Sequence, residues 1–257
     1  SLSQALQDVI ASSGGRVYFV SLEVTKEDSI AAAVRAVTEK LGAGNGLDVL
    51  INNAGIQIQD SVSAMHALTE SFEVNVAAVQ KVSSAFLPLL SLGAQKKLVT
   101  ISTDLGSITN AEIYAANAPF PSYKITKAAV NMLMKQFALE LGPKGFTVFP
   151  INPGWLKTDM GGPYAYLEPI VGAKQVVEII QKSTTADNGS FRSLYVEGHE
   201  FYDGKDLPWF PQVGAKAAEA TPPAARASSF PSDTKEYGTS GDADEVAAVT
   251  QAECNGV

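Results

Sequence analysis

Pro121-Ser122-Tyr123-Lys124-Ile125-Thr126-Lys127 opens a segment in which Ala128, Ala129, Leu133, Met134, Phe137 and Leu141 recur at three- and four-residue steps. That spacing predicts a helix over residues 122–141. Tyr123 and Lys127, four apart, then share one face of it. A positive charge beside a phenol favours phenolate and so draws down a pKa that starts near ~10. The pair alone decides little: with eight tyrosines, a chance Tyr-x-x-x-Lys is expected in about a third of chains this size. What flanks it decides the fold.

Downstream, residues 146–151 form a predicted strand ending in Asn152-Pro153-Gly154-Trp155. A helix near 172–182, a last strand near 193–197 and a closing segment at 201–210 follow. Upstream, residues 97–102 (KLVTIS) read as a strand, with an irregular loop at 104–120 between it and Tyr123. Before that come a long helix over 68–92 and a short apolar strand at 47–51 (LDVLI) ending in Asn52-Asn53-Ala54-Gly55. Thr25 with Asp28 three residues on resembles a capping box that starts a helix running to about Leu41. Residues 16–22 (RVYFVSL) are a β-branched and aromatic run, predicted as a buried strand. Residues 1–12 read as the end of a helix closed by Gly14-Gly15.

Short apolar strands alternating with helices predict an α/β fold, a doubly wound parallel sheet covered on both faces. Right-handed crossovers put every strand's carboxyl end on one edge, where such sheets bind ligands. Residues 52–55, Ser102-Thr103 and Pro153-Gly154 all leave strand ends there, so residues spread over a hundred positions converge.

Composition narrows the rest. The 257 residues are 46% hydrophobic and 18% charged, enough for one large domain. No apolar run reaches the length of a membrane span. The start, Ser1-Leu2-Ser3-Gln4, has no basic or apolar leader region. The single cysteine, Cys254, permits no internal disulfide, and the cytosol is the default compartment. His66 and His199, without neighbouring cysteines, make no metal site. A net charge of −8 argues against nucleic acid as a partner. Residues 1–210 are read as the domain, and 211–257, rich in Ala, Ser, Thr, Pro, Gly and acids, as a disordered acidic tail.

Each candidate has a plain reading beside the functional one. Ala54 and Gly55 let a ligand approach the backbone closely, or simply turn the chain. Asn75, polar in an apolar helix, faces water or holds a water that passes protons to Lys127. Ser102 and Thr103 hold a substrate carbonyl against Tyr123, or cap the following turn. Gly154 admits a cofactor, while Trp155 is more often a packing residue.

Taken together, Asn52-Asn53-Ala54-Gly55, Asn75, the hydroxyl at 102–103, Tyr123-x-x-x-Lys127 and Pro153-Gly154 resemble the short-chain dehydrogenase/reductase family over about residues 1–210. Residues 105–108 (LGSI), 155–162 (WLKTDMGG) and 203–209 (DGKDLPW) resemble its carbonyl-reductase branch, which includes the sniffer and C-factor proteins and fungal polyketide ketoreductases. The resemblance implies an NADP-dependent reduction of a ketone or aldehyde, of aromatic or polyketide type, with NAD also open. Tyr123 would give the proton, Lys127 would lower its pKa and bind the nicotinamide ribose, and Asn75 would complete the relay. Asn52, Ala54 and Gly55 would line the adenosine half of the cofactor with Glu23 near the adenine. Pro153, Gly154, Leu156 and Thr158 would hold the nicotinamide end. Assembly as a homodimer or homotetramer through the two long helices is usual in the family.

Several departures stand out. Thr103 occupies the position of the family's catalytic serine, Glu23 stands where Asp is usual, and the loop before Tyr123 is long, which points to a substrate pocket of its own. The largest lies at the front: the family's first strand, Gly-rich turn, first helix and second strand have no counterpart here. In the strand order 3-2-1-4-5-6 the absent pair would lie between residues 16–22 and 47–51, leaving them about 14 Å apart. The expectation is a truncated Rossmann-like domain with either an open slot or those two strands drawn together. An inactive family member, acting as a binding or scaffold protein, or a non-functional fragment, is the alternative.

Overall fold

The structure, a computed structural model, describes residues 3–115 and 118–209; the tail expected at 211–257 lies outside them. Its sheet is Rossmann-like, four parallel strands in the order β1 (Val49–Asn52), β2 (Lys97–Ile101), β3 (Thr147–Asn152) and β4 (Arg192–Ser193). Helices α1 (Gln4–Ser12), α2 (Glu27–Leu41), α3 (Leu68–Phe72), α4 (Ala78–Leu92), α5 (Pro121–Leu141) and α6 (Pro169–Lys182) intervene.

Strand alternation divides the core in two. Leu98 and Val148 point into a layer shared with Phe86 and Leu90 of α4, Met134 and Phe137 of α5, and Ile30 and Val37 of α2. Their neighbours Val99 and Phe149 point the other way, onto Val176 and Ile180 of α6, with Leu194 and Tyr202. This period of two, with both sets apolar, is why each strand reads as a continuous apolar run. β3 is buried along its whole length.

The helix predicted over 68–92 is broken into three: between α3 and α4 the segment Glu73–Ala77 winds as a π-helix. Such wide turns occur mostly as bulges at functional positions. The capping box predicted at Thr25 does not form. Lys26 is the N-cap residue of α2, without a side-chain cap. The Thr25 hydroxyl instead donates to Glu23 Oε1 at 2.8 Å, and the Glu23 N–H donates to Ser29 Oγ at 2.8 Å.

The largest correction concerns residues 16–22. They form no strand, and Tyr18 and Phe19 are 51% and 41% exposed. Leu22 alone of this run is buried, with Val20 packed beside it in the α2 layer. A β-rich sequence becomes a strand only against a partner that satisfies its backbone groups. Among the described residues nothing pairs with it, and β1 is the last strand on that side of the sheet. The two segments expected to flank a slot are not drawn together into a ladder. At the other end, the strand expected at 193–197 shortens to β4, after which Tyr195 makes one antiparallel bridge to Asp203.

Candidate active site

The carboxyl ends of β1, β2 and β3 open on one edge, and α5 starts against it. Pro121 sits in the first turn of α5, where its missing N–H costs nothing. The free N–H of Ser122 donates to Asp60 Oδ1 at 3.4 Å, and the Ser122 hydroxyl donates to Asp60 Oδ2. Asp60, from the stretch after β1, therefore fastens the helix start and complements the positive end of its dipole.

Tyr123 and Lys127 lie one turn apart, 8% and 4% exposed. Lys127 Nζ stands 5.5 Å from the Tyr123 ring centroid and donates to the Ile101 carbonyl at the end of β2, at 2.9 Å. Burial pushes the Tyr123 phenol well above its usual pKa, and the carboxylate of Asp104 pushes the same way. This runs against the sequence expectation, because loss of water penalises the phenolate.

Asn75, 1% exposed, sits inside the π segment. Its Oδ1 accepts from the Ile56 N–H at 2.8 Å; its Nδ2 donates to the Ile56 carbonyl at 2.9 Å and to Thr126 Oγ1 at 3.0 Å. The side chain thus laces the exit of β1 to α5. It does not face water; both hydrogens of its amide are donated and its oxygen accepts once. Gly55 lies against the same group: a Cβ there would come 3.1 Å from Asn75 Oδ1 and 3.5 Å from Lys127 Nζ.

The two strand-end hydroxyls part company. Ser102 is buried and donates to Asn131 Oδ1 on α5 at 2.6 Å, away from the edge. Thr103 accepts from the Leu105 N–H at 3.3 Å and donates to Asp104 Oδ1 at 3.1 Å. Asp104 Oδ2 accepts in turn from the Tyr114 hydroxyl. Burial and Asp104 together raise the Tyr114 phenol far above its usual range.

Beyond β3, Gly154 has φ +76°, a conformation that favours glycine, and a Cβ would meet Leu167 at 2.9 Å and Tyr202 at 3.2 Å. Packing within the fold, as much as any ligand, requires this glycine. Pro153 is half-buried, and Leu156 bridges to Leu167. The exposed Thr158 accepts from the Gly161 N–H at 3.1 Å. The Tyr202 hydroxyl accepts from the Trp155 N–H at 2.9 Å.

Two predicted cofactor contacts have their side chains occupied elsewhere. The Glu23 carboxylate is held by Thr25. Asn52 is buried, donating to Ser83 Oγ at 3.0 Å and Thr100 Oγ1 at 3.4 Å. Ala54 packs against the α2 layer of the core. Asp60, Asp104, Tyr114 and Thr126 were not singled out from the sequence. Asp104, an acid directly after a strand-end hydroxyl, carried a usable signal; Tyr114, in a loop without periodicity, carried none.

A parallel α/β sheet with a buried tyrosine-lysine pair at its carboxyl edge defines the class, and comparison with known proteins narrows it. The family model for short chain dehydrogenases matches residues 1–165. The C-signal protein of Myxococcus xanthus is 32% identical over 171 residues, covering 63% of this chain and 93% of that protein. Norsolorinic acid ketoreductase of Dothistroma septosporum is 31% identical over 227 residues, covering 81% and 79%. The NADPH-bound carbonyl reductase from chicken fatty liver superposes with a TM-score of 0.71 at 31% identity, covering 80% and 82%. The chain belongs to the short-chain dehydrogenase family, a family of oxidoreductases.

Proposed function

We propose that this chain carries the site of an NADP-dependent reductase of a ketone or aldehyde, with Tyr123 as proton donor. The observation that carries this reading is the meeting of Tyr123, Lys127, Asn75 and Gly55 at one sheet edge, with Thr103 just past the end of β2. The NADPH-bound relative and the ketoreductase relative support the cofactor and an aromatic or polyketide carbonyl as substrate.

One end of the cofactor fits the residues present. The missing side chain of Gly55 leaves space beside the Lys127 ammonium, which suits the hydroxyls of a nicotinamide ribose. Ala54 would continue that wall, with Pro153, Gly154, Leu156 and Thr158 at the nicotinamide end. Glu23 and Asn52 would contribute backbone, their side chains being occupied. A bound nicotinamide would supply hydride to the carbonyl carbon.

The residues do the rest. A tyrosine phenol carries its proton throughout the neutral range, so one is present to give. As negative charge grows on the carbonyl oxygen, the Tyr123 proton passes to it and an alcohol leaves. The phenolate left behind lies next to Lys127, and the Asn75–Thr126 bond keeps that turn of α5 in place. Positioned proton transfer of this kind is worth about 10²–10⁴ in rate.

Ile125, Met132 and Leu139, seven apart on α5 and all exposed, form an apolar stripe suited to a second copy, which supports a homodimer. Among the described residues no helix is long and apolar enough to cross a membrane.

The inactive binding or scaffold protein remains the second reading. It is favoured by the Thr103 proton resting on Asp104 and by residues 16–22, which join no strand ladder among the described residues. The deciding experiment is NADPH fluorescence with turnover of ketones and aldehydes. Tyr123→Phe should lower kcat by about 10²–10⁴ while NADPH affinity stays nearly unchanged. Equal turnover in parent and variant would end the catalytic assignment, and NADPH binding without any turnover would favour the second reading.

A further inference from the structure

Asp104, just past the end of β2, is a carboxylate held by neutral donors. Its Oδ1 accepts from the Thr103 hydroxyl at 3.1 Å and its Oδ2 from the Tyr114 hydroxyl. Among the described residues no ion pair includes it. Lys124 and Lys127 of α5 are bound to carbonyl oxygens instead, that of Tyr114 at 3.0 Å and that of Ile101 at 2.9 Å. Two hydroxyls fill about two of the roughly four acceptor positions on a carboxylate. They hold the charge in place without cancelling it. Asp104 is half-buried, so water screens that charge only in part.

The turn that carries the acid is fixed on both sides. A Cβ on Gly106 would lie 2.7 Å from the Lys127 carbonyl carbon, so the turn Asp104–Gly106 lies closely against α5. One residue on, the buried Ser107 hydroxyl donates to the Pro208 carbonyl at 2.6 Å. The carboxylate is therefore a standing feature of the edge on which Thr103 lies.

We infer that Asp104 sets the charge of the compound the site accepts: neutral and cationic carbonyls are admitted at Thr103, and keto acids are turned away. This rests on the carbonyl-reductase reading above, with Thr103 holding the substrate carbonyl against Tyr123, and it names the substrate class for that site. A carbonyl oxygen hydrogen-bonded to Thr103 Oγ1 at about 2.8 Å lies no more than about 6 Å from Asp104 Oδ1, because the two side-chain oxygens are 3.1 Å apart. A carboxyl group next to that carbonyl is then within about 9 Å of Asp104. At such a separation, partly shielded from water, two negative charges repel enough to weaken binding about tenfold, and a cation gains about as much. Turning the single Thr103 proton to the carbonyl takes it from Asp104, which leaves the charge less shielded.

The test is calorimetric titration of the full chain with three phenyl ketones: phenylglyoxylate, its methyl ester and phenacyltrimethylammonium. NADP+ is present, so that no hydride is available. Each charged probe is measured against the neutral ester within one chain, which cancels any general loosening. The parent should bind the ester about tenfold more tightly than phenylglyoxylate. Asp104→Asn should raise the affinity of the anion and lower that of the cation against the ester, each about tenfold. Glu140→Gln, which removes a charge near the far end of α5, should leave both ratios as in the parent. Thr103→Val should weaken the ester about fivefold by removing its donor. The inference is overturned by ratios that stay put or move the same way in Asp104→Asn, or by equal movement in Glu140→Gln. An ester indifferent to Thr103→Val, or a parent that binds none of the probes, overturns it too. Should Asp104→Asn not fold, Asp104→Ser, which keeps an acceptor for the two hydroxyls, is read in the same way. The expected ratios without any reduction of the ester by NADPH would defeat the proposed function and leave this inference standing. Reduction of the ester and phenylglyoxylate at equal kcat/KM would do the reverse.

Discussion

β3 and residues 16–22 are both apolar, β-branched and aromatic, yet one is buried along its whole length and the other lies partly in water. The difference is not in the local sequence. β3 has β2 along one side and, on the other, β4 at Ile151 and Asn152 with Asn188 and Gly189 at Val148, so its backbone is paired on both sides and its side chains drop into two cores. Residues 16–22 have no ladder among the described residues, and their large side chains are left at the surface. Strand propensity is a preference for a pleated, covered environment, and it is realised only where neighbours supply one. The site inherits this asymmetry. Everything proposed to move a proton sits between β1, β2, β3 and α5, where contacts are dense, whereas Glu23 lies on the unpartnered side.

The largest effect that would sharpen this contrast is expected in β3. Phe149, wholly buried in the α6 layer, should cost about 3–5 kcal/mol when cut to alanine, since the neighbours cannot collapse into the gap. Urea unfolding followed by circular dichroism measures it. A loss below about 1 kcal/mol would mean that the layer is loosely packed and that the two segments differ less than their burial indicates.

Next comes the lacing between core and site. Asn75→Ala should cost about 2–3 kcal/mol, because the Ile56 N–H and carbonyl lose their partner and the Thr126 hydroxyl loses its donor in a water-poor place. If the proposed chemistry holds, turnover should fall along with stability, since the same amide anchors the turn that carries Lys127. Stability lost with kcat unchanged would make Asn75 a fold residue only.

The alternation of strand and helix was legible, and so were the four paired strands, within a few residues of their ends. Periodicity is a property of consecutive residues and survives in the chain. The tyrosine-lysine spacing and the small residues at strand ends were legible for the same reason. Asp60 and Tyr114 were not: Asp60 reaches a helix 62 residues on, and Tyr114 reports on a loop whose path no local pattern dictates. The π turn at Glu73–Ala77 escaped as well, because one wide turn leaves the apolar pattern on either side almost unchanged. Reading residues 16–22 as a buried strand failed for a different reason, since the signal was present and, among the described residues, the partner strand was not.

That failure supplies the smallest expected effect. Phe19→Ala should change stability by no more than about 0.5 kcal/mol, the usual range for a surface position, and amide protons across 16–22 should exchange with solvent far faster than those of β3. The same truncation in a buried strand would cost about as much as Phe149→Ala, so the two variants measured side by side form a direct comparison. A loss of about 2 kcal/mol or more at Phe19, with slow exchange around it, would mean that a partner covers this segment in solution. The exposed face of residues 16–22 and the open side of β1 would then have to be occupied together, because a strand satisfied on one side needs a neighbour with a matching free edge.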